Sequence, residues 1–99
     1  MNEPKCYYTV IPAPVRYSQD LKAIEKIFYS EIVGQCNEQG FCSTTNGYFA
    51  ELYQVSKNSI TGYISSLQKA GFIISEIDLI DGGPRKIYIC DLLNLKSKI

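Results

Sequence analysis

The chain has no histidine and no tryptophan. Without histidine, the usual proton-accepting partner of a catalytic thiol is missing. Its four cysteines, Cys6, Cys36, Cys42 and Cys90, form no C-x-x-C pair, and no histidine completes a zinc site around them. They read as buried or half-buried free thiols in a reducing compartment. There is no glycine-rich phosphate loop, no metal-ligand spacing and no nucleophile with an evident base. The chain therefore reads as no enzyme, with no cofactor and no metal. Glu76, Asp78 and Asp81 fall close together but read as a solvated strand face. No apolar run approaches the ~20 residues of a membrane-spanning helix. The opening MNEPKCYYTVIP lacks the apolar core and cleavage site of a signal peptide. No membrane partner is expected. Charge of neither sign is in excess, since ten basic residues balance ten acidic ones. That counts against a protein gripping nucleic acid by bulk electrostatics, and does not exclude a small module with locally arranged charge.

What remains is enough for one domain. The 99 residues are 45% hydrophobic, with eight tyrosines. Residues 44–73, TTNGYFAELYQVSKNSITGYISSLQKAGFI, read as two short helices and the start of a strand. Thr45 or Asn46 caps the first helix, which carries Phe49, Ala50, Leu52 and Tyr53. Gln54-Val55-Ser56 makes the turn, and Ser56 caps the second helix. That helix buries Ile60, Ile64 and Leu67 at i, i+4 and i+7 and stops at Gly71.

Opposite that apolar stripe lie Asn58, Thr61, Gly62, Ser65 and Lys69. From Lys57 to Ala70 there is no acidic residue. A helix entering a DNA major groove needs such a face. Acid would repel phosphate, bulk would hold the helix off the base edges, and amides and hydroxyls bond those edges. The alternative is a Ser/Thr-rich solvated helix.

Upstream, Tyr7 to Ile11 has strand composition. Pro12 and Pro14 then predict an extended segment. A helix is expected from about Leu21 to Val33, capped by Ser18 or Asp20. Its buried stripe would be Leu21, Ile24, Ile27, Phe28, Ile32 and Cys36, with Lys22, Glu25, Lys26 and Glu31 outside. Phe41 and Cys42 suggest a brief strand.

Downstream, Phe72 to Ile80 reads as a strand with Ile73, Ile77 and Leu79 on one face. Asp81-Gly82-Gly83-Pro84 reads as a turn, and Arg85 to Cys90 as the returning strand. The order helix, strand, helix, helix, strand, strand is α+β and that of a winged helix-turn-helix: a three-helix core with a C-terminal β-hairpin wing. Arg85 and Lys86 fall on the wing, where basic side chains reach phosphate or the minor groove. The domain is expected over residues 1–91. Residues 92–99 form a tail or the start of a linker, and the segment from Asp91 reads equally as a last short helix or a dimer contact.

The stretches IFYSEIVGQCNEQGFCSTTNGYFAELYQVSKNSITGYISSLQKAGFI and PRKIYI resemble the helix-turn-helix domains at the N-terminus of phage and prophage replication proteins of Gram-positive bacteria. These are the replisome organisers and primosome-like initiators. The likeness covers most of the region from Leu21 to Ile89 and is most specific from Asn46 to Val55. It implies a cytoplasmic protein of a bacterial host that binds double-stranded DNA, alongside other replication proteins or as a homodimer. It implies further that Thr45 and Asn46 meet phosphate at a helix N-terminus while Lys57, Asn58, Ser59, Thr61 and Ser65 face the groove. Two positions depart from the pattern. Gly62 stands where Arg or Lys is common, and Gln54 where Gly is usual. The same fold also serves transcriptional regulators, and winged helices that bind protein rather than DNA.

Overall fold

In the computed structural model, residues 9–36, 38–77 and 85–90 are described. They build four helices, α1 (Ala13–Arg16), α2 (Ala23–Gly34), α3 (Asn46–Tyr53) and α4 (Lys57–Lys69). Three strands, β1 (Phe41–Cys42), β2 (Ile73–Glu76) and β3 (Lys86–Ile89), form one antiparallel sheet in the order β1-β3-β2. The expected α+β winged helix-turn-helix is the fold observed.

The two central helices form where their caps allow. Thr45 Oγ1 accepts the Tyr48 N–H at 3.1 Å, and Ser56 Oγ accepts the Ser59 N–H at 3.1 Å. Each satisfies one of the donors that a helix start leaves free. Helix α4 ends in a left-handed Gly71 (φ 89°). The Phe72 N–H then reaches the Leu67 carbonyl and the Gly71 N–H the Gln68 carbonyl, both at 3.0 Å. This double closure buries Phe72 and Leu67 together. Helix α3 ends the same way, with the Val55 N–H on the Ala50 carbonyl at 3.0 Å. Here the left-handed residue is Gln54 (φ 58°, ψ 47°), a conformation that glycine adopts without the Cβ penalty.

The core lies between α2, α4 and the inner face of the sheet. Phe28, Ile32, Phe49, Ile60, Leu67, Ile73 and Ile87 are fully buried. Phe28 is its aromatic centre, edge-on to Phe49 at 4.8 Å and to Tyr53 at 5.6 Å. Ile60, Ile64 and Leu67 are buried as their spacing predicts. Glu31 ties α2 to α3, accepting from Tyr53 Oη at 3.2 Å.

Several expectations need correction. Helix α2 starts at Ala23 and is capped by neither Ser18 nor Asp20. Lys22 is its N-cap, and the Lys22 N–H donates to Glu25 Oε1 at 2.8 Å. Glu25 is therefore buried, not outward, with its carboxylate held at the positive end of the helix dipole. This rotates the buried stripe. Tyr29 enters the core and Ile27 is 47% exposed. The prolines do not keep their segment extended. Pro12 is the extended N-cap of α1 and Pro14 sits in its first turn, where a missing N–H costs nothing. Val15 is thereby buried. Thr9 to Ile11 is no strand; Thr9 Oγ1 donates to Ser30 Oγ at 2.9 Å instead. Strand β2 ends at Glu76, so Ile77 lies outside it and is 65% exposed. Cys6, Tyr7, Tyr8, Asp78, Leu79, the turn at 81–84 and the segment 91–99 lie outside the described residues.

Candidate nucleic-acid interface

Helix α4 presents Asn58, Thr61, Gly62, Ser65 and Lys69 to solvent, and Lys57 at its first position is exposed as well. These five follow from a single fact: with Ile60, Ile64 and Leu67 turned inward, helical geometry turns positions 58, 61, 62, 65 and 69 outward. Ser59 belongs to another flank. It is half-buried, and its hydroxyl lies 3.1 Å from Ser56 Oγ. Above Gly62 the surface is open, with nothing within 4 Å of where a Cβ would stand.

Thr61 lies on the side of α4 that faces the start of α3. Asn46 Nδ2 donates to Thr61 Oγ1 at 3.2 Å, and that hydroxyl donates to the Lys57 carbonyl at 3.1 Å. Asn46 Oδ1 in turn accepts from Arg85 Nη1, while Arg85 Nη2 donates to the Thr44 carbonyl. The structure thus joins Asn46, Lys57, Thr61 and Arg85 in one hydrogen-bonded chain that runs from α4 to the start of β3. Thr45 lies beside it, its hydroxyl spent on capping α3.

Arg85 and Lys86 part company. Neighbouring residues along a strand face opposite sides of the sheet, so Arg85 shares the inner side with buried Ile87 while Lys86 takes the outer side. Arg85 is half-buried, and burial pulls its pKa below the ordinary guanidinium value. Its Nε is buried and finds no partner among the described residues. Lys86 Nζ stands 4.9 Å from the centroid of the Phe41 ring, close enough for a cation–π attraction. Lys69, at the far end of α4, lines a shallow hollow with Asp20, Ser66 and Ala70.

Three residues of this region escaped the sequence reading. Gly47 lies under the Lys57 stem: a Cβ there would meet Lys57 Cε at 3.4 Å and Nζ at 3.9 Å. Lys57 thereby lays its ammonium over the first turn of α3. A glycine just inside a helix start is the available signal, since it weakens the helix and implies a close approach. Thr44, through its carbonyl, and Phe41, through its ring face, offered no such signal.

Away from this surface, burial pushes the Tyr29 hydroxyl up to about 12 and raises the Cys36 and Cys90 thiols. Cys42 is a fully buried free thiol. Among the described residues no three His, Cys, Asp or Glu side chains gather as metal ligands, and no helix is long and apolar enough to cross a membrane.

No described protein family and no curated protein matches the sequence. Solved structures do match the fold. One is described as the N-terminal domain of a DNA binding protein, with a TM-score of 0.65 and 16% identity over 93% of this chain and 86% of that one. A second is a Rep–DNA complex, at 0.63 and 16% over the same shares. A third is a MarR-like transcriptional regulator from Thermotoga maritima, at 0.61 and 17%, covering 89% of this chain and 57% of that one. At such identities the likeness is one of fold, and the fold they share with this chain is the winged helix.

Proposed function

We propose that this chain is a double-stranded DNA-binding winged-helix domain of a phage-type replication initiation protein, with α4 as the helix that enters the major groove. The observation that carries the reading is the solvent face of α4: small, polar, free of acid and exposed from Lys57 to Lys69. Recognition helices place their N-terminal residues against base edges, which gives Asn58, Thr61 and Gly62 the central positions. Lys57, at the junction of the two helix starts, takes the phosphate, helped by the free N–H groups of α3. Ser65 and Lys69 continue the contact. A fold neighbour solved as a Rep–DNA complex supports the replication role, as does the sequence resemblance. The reading assigns the chain no catalytic step and no cofactor. Further partners are other replication proteins or a second copy of the chain. The MarR-like neighbour favours a second reading, in which the same surface serves a transcriptional regulator.

Fluorescence anisotropy with duplexes from the protein's own gene neighbourhood, at two salt concentrations, tests the proposal. Phosphate contacts make affinity fall as salt rises. Replacing Asn58 and Ser65 by Ala is expected to reduce discrimination between sequences by ~1–3 kcal/mol per base contact. A folded protein that binds no duplex at low salt refutes DNA binding and leaves a protein-binding winged helix.

A further inference from the structure

Arg85 is a basic residue at the wing, yet it does not extend into solvent. Its two terminal nitrogens are spent on two different acceptors at the entrance to α3, the Asn46 side-chain oxygen and the Thr44 carbonyl. Its Nε is buried. A planar guanidinium delivers two donors in a fixed fork, which an ammonium cannot do.

The consequences pass along the chain of bonds. Because Arg85 takes Asn46 Oδ1, the Asn46 amide is held in one orientation with its Nδ2 toward Thr61. Thr61 Oγ1 gives its proton to the Lys57 carbonyl. A hydroxyl that has donated once and accepted once has one lone pair left. Asn46 likewise keeps one free N–H. The pair therefore shows the outside a fixed polarity, an acceptor at Thr61 and a donor at Asn46.

We infer that Arg85 is a positioning residue that sets the hydrogen-bonding polarity of the reading surface through Asn46 and Thr61, and that it does not neutralise a DNA phosphate. The DNA part of this inference rests on the function proposed above. In the major groove, an acceptor at Thr61 selects a base edge that donates, the exocyclic amine of adenine or cytosine. Without the fork, the Asn46 amide turns over and the Thr61 hydroxyl rotates, so the preference at that base pair relaxes.

Two variants separate charge from geometry. Arg85→Gln removes the charge; Arg85→Lys keeps it but loses the fork. The first readout needs no DNA: the Asn46 side-chain amide resonances in a 1H–15N spectrum of the full chain. Both variants are expected to collapse this pair toward the shifts of a free asparagine. The second readout is anisotropy on a labelled duplex selected from a random-sequence pool by the unchanged protein. Both variants are expected to lose discrimination at one base pair by a similar factor, with the slope of log K against log salt unchanged. A phosphate contact predicts the opposite: Arg85→Lys behaves as the parent, and Arg85→Gln lowers the slope by about 0.9. That result overturns the inference. Asn46 resonances that stay in place in both variants overturn it as well, whatever the DNA does. If the unchanged protein selects no duplex while both variants shift the Asn46 pair, the positioning role stands and the DNA reading falls.

Discussion

Gly62 is the position where one substitution tests stability and binding separately. It lies in the middle of α4, is exposed, and does not have a positive φ. A Cβ placed there meets nothing within 4 Å. No steric or conformational reason for glycine exists in the folded chain, so Gly62→Ala should recover the whole propensity difference, about 1 kcal/mol. For a domain of this size that corresponds to a rise in melting temperature of roughly 4–8 °C. Urea titration should show the midpoint moving up with the slope unchanged. Gly62→Arg should stabilise nearly as much, since Arg is also a good helix former. On DNA the two variants then diverge. If a phosphate contact is missing here, Arg should tighten binding and raise the salt slope by about 0.9, with Ala neutral. If Gly62 serves close approach to the DNA backbone, both variants should gain stability and lose affinity. A Gly62→Ala protein that is no more stable than the parent refutes the reasoning, because it means that the open surface above Gly62 is covered in solution.

Gln54→Gly should also stabilise the fold. An L-residue in the left-handed region costs roughly 1–2 kcal/mol, offset in part by the greater entropy of glycine in the unfolded chain. A net gain of about 0.5–1 kcal/mol in urea titration is expected, and a loss would show that the 2.8 Å bond from Gln54 Nε2 to the Glu51 carbonyl outweighs the strain. Tyr29 supplies a pH test. Its folded pKa is raised to about 12 from 10.0, first by burial and then by the Cys90 and Cys36 thiolates. Its contribution is therefore full below pH 10 and is lost as pH rises toward 12, because only the unfolded chain releases the proton in that window. The loss amounts to roughly 3 kcal/mol at full ionisation. Tyr29→Phe should flatten stability against pH in this range, and an unchanged alkaline slope would place the titrating group elsewhere.

The parts of the fold legible in the sequence are those settled by local chemistry. Thr45, Ser56 and Gly71 mark helix ends with side chains or backbone freedom that act within a few residues. The spacing of Ile60, Ile64 and Leu67 fixes one helical face. Phe41 and Cys42 were recognisable as a strand from type and place. The misread elements depend on a partner that sequence order hides. Glu25 counts as an outward charge in any hydrophobicity pattern, and it is buried only because it caps its own helix through the Lys22 N–H. Its burial draws Tyr29 inward and pushes Ile27 out. Pro12 and Pro14 argue for extended chain except at a helix start, and α1 has no side-chain cap to mark one. In the candidate site, the outward set on α4 followed from periodicity. The inward turn of Arg85 did not, because its acceptors lie about 40 residues earlier in the chain. Strand alternation from Ile87 did contain the hint.

That difference changes what the proposed surface can deliver. Four basic residues were assigned to it, Lys57, Lys69, Arg85 and Lys86, together with the start of α3 at Thr45 and Asn46, whose backbone dipole favours an anion. The structure commits Arg85 to Asn46 and Thr44 and lays Lys86 against Phe41. Lys69 shares its hollow with Asp20, whose carboxylate opposes phosphate at that end of α4. Lys57 alone combines exposure with a neighbouring helix N-terminus. Each neutralised phosphate contributes about 0.9 to the salt slope, so one or two side-chain contacts give a slope of only about 1–2. A zero-charge chain with so shallow a slope derives little affinity from the backbone of any duplex. Its selectivity must then rest on the polar face of α4, which is where Asn58, Thr61 and Ser65 stand. Tight binding would call for a second copy of the surface on the same DNA, doubling both the contacts and the slope.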